Sequence, residues 1–150
     1  MRVYLVVIDE TQEAHSALRF AARRAADTQG AVHILALVPK QAFNAFGGIQ
    51  ATIEQESRDR AEVLANSAAG ELMSESGLMP QIAVREGDGK TVINEYLSEH
   101  PEVAALVLGA AAEGNPGPLV SHFSASSGQL PCPLIIVPGA LSDEEIDRLS

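Results

Sequence analysis

Five short apolar runs punctuate the chain: VYLVVI (3–8), AVHILALV (31–38), QIAVRE (81–86), AALVLG (104–109) and PLIIVP (133–138). They constrain the fold more than any other feature. Most are continuous rather than alternating, and a strand that is apolar at every position needs cover on both faces. The cover lies between the runs. Ala14, Leu18, Ala21, Ala22 and Ala25 recur on one helical face before a stop at Gly30. A second helical pattern runs from about 50 to 76, with Ile53, Ala61, Leu64, Ala65, Ala68 and Leu72 on one side and Gly77 at its end. A third covers about 90–99, with Val92, Ile93, Tyr96 and Leu97, and a fourth about 118–130. Strands alternating with helices through short loops predict βαβ units and an open parallel sheet with helices on both faces.

The chain of 150 residues reads as a single domain, 1–150, long enough to bury a core, with an acidic tail at 142–150. Ser142 and Glu145 have the spacing of a capping box, so the tail is either a last helical turn or a solvated end. The formal charge of −10 argues against a nucleic-acid partner, which needs clustered Lys and Arg, and against anionic membranes. No apolar run approaches the roughly 20 residues of a spanning helix, and the N-terminal run is too short for a signal peptide. The expected location is cytoplasmic. The single cysteine, Cys132, lies between Pro131 and Pro133 and reads as a packed small hydrophobe.

In open parallel sheets, ligands gather beyond the carboxyl ends of the strands. That directs attention to Asp9, Val38, Gly87 and the loop after Gly109. The loop GNPGPLVSHF (114–123) runs from glycines into a helix at Gly117-Pro118, where Pro suits the first helical position. No Lys or Arg occurs from position 91 to position 147. A helix start can nevertheless receive an anion through its unpaired amides, here those of Leu119, Val120 and Ser121. Ser121 adds a hydroxyl, and His122 adds charge only when protonated. Glu113 opposes a phosphate in the same loop. The competing reading is a plain Gly/Pro turn that opens the fourth helix.

Asp9 has two readings as well: a carboxylate that accepts hydrogen bonds from a ligand in the cleft, or a cap for the first helix. Val38, taken by itself, reads as strand core. Lys40 is the nearest basic residue to the cleft in sequence, or a solvated loop lysine. His15, His33, His100 and His122 show no metal-ligand spacing, and His33 reads as a sheet-face residue. Glu54, Glu56, Asp59 and Glu62 mark the polar face of the second helix. No nucleophile elbow, Cys/His pair or facing carboxylate dyad is present, so no catalytic set is assigned.

YLVVIDETQEAHSALRFAARRAA, VHILALV, VREGDGKTVINEYL and ALVLGAAAEGNPGPLVSHF…LPCPLIIVP together resemble the universal stress protein family along nearly the whole chain. The resemblance implies a Rossmann-like α/β sheet of order 3-2-1-4-5 and a homodimer formed along the fifth strand, 133–138. It also implies an adenine-nucleotide site, with ATP and Mg²⁺ as the ligand, at Asp9, Val38, Gly109, Gly114, Gly117, Ser121 and His122. The nucleotide-binding branch carries G-x2-G-x9-G-[ST] after strand four. Here Gly109 takes the first position, Ala112 the second, and Val120 stands before Ser121, which arrives two residues early. Gly114 and Gly117 supply a second G-x2-G with no Gly-Ser at the required distance. The expectation is a dimeric regulatory or binding module in stress response with weak or absent ATP binding. The runner-up is an ATP-binding member with slow ATPase activity. A phospho-receiver domain fits worse, because no Asp ends strand three and no Lys follows strand five.

Overall fold

The computed structural model describes residues 1–39 and 47–150; the side chains of residues 47–51 and the expectation for Lys40 lie outside what is described. Five strands form one sheet: β1 (Val3–Ile8), β2 (Ala31–Val38), β3 (Gln81–Glu86), β4 (Val103–Ala110) and β5 (Leu134–Pro138). All neighbours run parallel, in the order β3-β2-β1-β4-β5. The helices are α1 (Gln12–Asp27), α2 (Gly47–Ser76), α3 (Gly89–Glu99), α4 (Pro118–Ala125) and α5 (Asp143–Leu149).

The continuous apolar runs are explained by what each face meets. On β1, Tyr4, Val6 and Ile8 pack with α1 and with Ala68 and Leu72 of α2, whereas Val3, Leu5 and Val7 pack with α3 and α4. Successive side chains on a strand point to opposite faces, so covering both sides demands an apolar residue at every position. All six β1 residues are buried. Val38 packs with Ala36, Ala61 and Ala65, sealing the upper part of α2 against β2.

One segment ends differently from its sequence pattern, and the tail takes the helical one of its two readings. The fourth helix stops at Ala125 and passes into a 3₁₀ turn, Ser127–Gln129, instead of continuing to about 130. Ser124, Ser126 and Ser127 each turn a hydroxyl onto a carbonyl three or four residues back, which favours tight turns over a continued helix. The acidic tail forms α5, begun by the Ser142–Glu145 capping box, with Ile146 fully buried. Arg19 of α1 reaches it: Nε and Nη2 donate to the two carboxylate oxygens of Asp147 at 2.9 and 2.8 Å, and Nη1 reaches Glu75 of α2 at 2.9 Å.

Candidate functional site

The carboxyl ends of β1, β2 and β4 open into a connected set of depressions. One cleft, of about 450 Å³, is lined by Ile8, Asp9, Leu37, Pro39, Arg60 and Leu64 among others. A smaller cavity, of about 140 Å³, lies between the end of β1 and the loop after β4, with Asp9, Thr11, Gly109, Gly117 and Pro118 in its wall. A shallow surface depression on the outer side of Pro118 holds Ser121, His122, Asn115 and Lys90. Asp9 borders the first two spaces and Pro118 the last two.

Asp9 follows β1 directly and is exposed. Its Oδ1 accepts from both the backbone N–H and the hydroxyl of Thr11. Thr11, not Asp9, caps α1, accepting from the Ala14 N–H at 3.2 Å. Asp9 therefore serves the cap at one remove. Its Oδ2 has no hydrogen-bond partner among the described residues.

Gly109 is fixed by packing. A Cβ there would lie 1.9 Å from the Glu13 carbonyl oxygen, so only glycine lets β4 run this close to α1. The loop beyond it is drawn shut by Ala111 N–H to Pro116 O and by Gly139 N–H to Ala110 O. Gly114 and Gly117 both have positive φ, 71° and 117°, which the turn into α4 requires.

The amides at the head of α4 are less open than the sequence suggests. The Ser121 N–H already donates to Gly117 O at 3.0 Å, leaving only Leu119 and Val120 ahead of the first helical bond. Asn115 Oδ1 takes the Gly117 N–H at 2.8 Å and lies 3.5 Å from the Ser121 hydroxyl. The loop's own asparagine occupies donors that a phosphate would use.

Asp9, Gly109 and Gly117 thus meet in one cavity, and Ser121 and His122 share the adjoining depression. Gly114 is exposed at the tip of the loop and lines none of these spaces. Val38 does not reach the cleft: it is 1% exposed and belongs to the core, while its neighbours Leu37 and Pro39 form the wall. Two cations escaped the sequence reading. Arg60 comes from the polar face of α2 and donates to the Ser57 hydroxyl at 3.4 Å inside the cleft. Lys90, one residue outside the basic-free stretch, stands beside Ser121 because α3 begins next to α4. Neither is near the site in sequence; only the sheet order brings them there.

A family model described as the universal stress protein family matches residues 1–138. Among solved structures, universal stress protein UspA from Lactobacillus plantarum superposes with a TM-score of 0.77 at 21% identity, covering 91% of this chain and 97% of that one. A universal stress protein family member from Arabidopsis thaliana, solved with AMP bound, gives 0.61 at 14% identity, covering 96% and 95%. The universal stress protein from Archaeoglobus fulgidus in complex with dAMP gives 0.54 at 15%, covering 91% and 97%. No curated protein matches the chain. With a matching model over nearly its whole length, and the sheet order and helix placement of these relatives, the chain belongs to the universal stress protein family.

Proposed function

We propose that this protein is a dimeric binding and regulatory module of stress response. It takes an adenine nucleoside monophosphate in the cleft between Asp9 and Arg60 and binds ATP weakly or not at all. One observation carries this reading: Asn115 already occupies the Gly117 amide at the head of α4, where a longer phosphate chain would be held. The cleft between Asp9 and Arg60, at about 450 Å³, lies within the ~300–1,000 Å³ usual for small-molecule sites. The cavity beneath the loop, about 140 Å³, is far below that range. Asp9 Oδ2 can accept a ribose hydroxyl, and Leu37, Pro39 and Leu64 supply apolar wall for a base. Arg60, the one cation lining this cleft among the described residues, offsets one phosphate more readily than three, and Glu113 is exposed in the loop after β4. The relatives solved with AMP and dAMP support the ligand class.

Isothermal titration tests this directly. AMP is expected to bind more tightly than ATP with Mg²⁺. An ATP dissociation constant below about 100 μM, roughly 5.5 kcal/mol, would overturn it. The slow-ATPase alternative has His122 beside Ser121 but no arginine finger in that depression among the described residues, which leaves phosphoryl transfer without its usual charge stabilisation.

The dimer proposal rests on β5. It ends the sheet, and Ile136 is exposed on it. An uncovered apolar edge favours pairing with a second copy. Light scattering should give about twice the 15.8 kDa chain mass at micromolar concentration, and a purely monomeric species would refute it.

A further inference from the structure

At the opposite end of the sheet from the cleft, three residues with no sequence spacing in common converge. His33 sits near the start of β2, His100 is the residue that ends α3, and Glu102 lies in the turn before β4. One ligand atom from each lies within 4.8 Å of the other two. His100 Nδ1 and Glu102 Oε2 are 3.0 Å apart, and the two imidazoles meet edge-on with centroids 5.6 Å apart.

The surroundings hold these groups in place. His33 is 6% exposed, and its Nδ1 is 2.8 Å from the hydroxyl of Tyr96, itself 1% exposed. The Tyr96 ring stacks on His100 at 4.1 Å, fixing that imidazole as well. Nδ1 of His33 being taken, Nε2 is the nitrogen this residue has to offer. A metal-bound histidine commonly donates its other ring N–H to an oxygen, and the Tyr96 hydroxyl is already placed to receive it. Arg85, which lies 5.0 Å from the Tyr96 ring centre, is paired with Glu99 at 3.0 Å. Those two charges cancel, which leaves the Glu102 carboxylate as the net local charge.

We propose that His33, His100 and Glu102 form a site for a borderline divalent cation, Zn²⁺ in the first instance, with the fourth position left to water. Two imidazoles and one carboxylate are a donor set that Zn²⁺ accepts, and imidazole disfavours Mg²⁺ and Ca²⁺. Metal–ligand lengths near 2.0–2.1 Å in a tetrahedron ask for donors about 3.3 Å apart, so small side-chain rotations close the site. Binding would tie β2, the end of α3 and the start of β4 together, remote from the nucleotide cleft.

The test uses tag-free full chain freed of metal by chelator dialysis. Zn²⁺ is titrated against a chromophoric competitor, and Co²⁺ is followed by its visible spectrum. One equivalent of Zn²⁺ should bind, and Co²⁺ should develop bands stronger than those of the hexa-aqua ion. His100→Ala and Glu102→Gln, both at partly exposed positions and checked for fold by circular dichroism, should each weaken binding by at least about tenfold. No Zn²⁺ bound at 100 μM, a Co²⁺ spectrum like that of free ion, or undiminished Zn²⁺ binding in either variant would overturn the site. The Co²⁺ arm needs no substitution, so it decides even where a variant fails to fold.

Discussion

Replacing Tyr96 by Phe removes one oxygen and leaves the ring in its packing. The hydroxyl lies 2.8 Å from His33 Nδ1, and both residues are almost wholly buried, so water does not readily replace it. Stranding a buried polar atom costs about 1–3 kcal/mol. For a chain of this size, at about 3 °C per kcal/mol, Tyr96→Phe should lower Tm by about 3–9 °C. Urea and thermal melts followed by circular dichroism, in metal-free buffer, give the value. Removing both partners with apolar groups of similar shape is far less costly than removing one. The double variant Tyr96→Phe with His33→Leu should therefore recover part of the loss, and the double-mutant cycle isolates the coupling. The pair also shapes the acid limb. Burial, then the nearby His100, pushes the His33 imidazole below its usual value, so the unfolded chain takes up its proton first. Its contribution is complete above about pH 6.5 and is lost as pH falls below that value. A Tyr96→Phe protein whose stability lies within about 0.5 kcal/mol of the parent would show that the hydroxyl is not a buried partner, and the reasoning would fail.

Other perturbations probe separate features. Gly109→Ala pushes a methyl group to 1.9 Å from the Glu13 carbonyl and should cost at least about 3 kcal/mol by denaturant melt, the upper end for overpacking. The Asp147 carboxyl is held below its usual value by its hydrogen bonds from Arg19, so its contribution is present above about pH 3.9 and is lost as pH falls. Asp147→Asn should therefore lower the urea midpoint at pH 7, with the gap to the parent closing toward pH 3. Arg60→Ala should weaken AMP about two- to fivefold, ~0.4–1 kcal/mol, with the fold unchanged, as calorimetry would read.

The sheet was legible in the chain because each run of apolar residues reports burial on two sides, and β1 is buried at all six positions. The alternation of those runs with helical patterns then leaves few topologies. Helix ends were less legible: α4 stops where Ser124, Ser126 and Ser127 redirect carbonyls, a local competition that the apolar pattern does not register. At the site, Asp9, Gly109 and Gly117 converge as the strand-end rule expects. Val38 does not, because the last residue of β2 turns inward onto Ala61 and Ala65. Arg60 and Lys90 were invisible as site residues, since one looks like any charge on a solvated helix face and the other opens a different helix. His33 and His100 meet for the same reason: parallel β2 and the α3–β4 turn place far-separated positions at one end of the sheet. Spacing rules read contacts within an element and miss those between elements.

The two borders of the sheet differ in kind. β5 presents Leu134, Ile135 and Ile136 and closes on Pro138, which lacks an N–H to extend the ladder. β3 also carries an exposed isoleucine, Ile82, but sets Gln81, Arg85 and Glu86 around it. A head-to-tail stack of copies would lay the hydrocarbon of β5 against the charges of β3. Under the pairing proposed above, growth through β5 would consume that edge in a single step, so assembly would stop at a symmetric pair and not run on into ribbons.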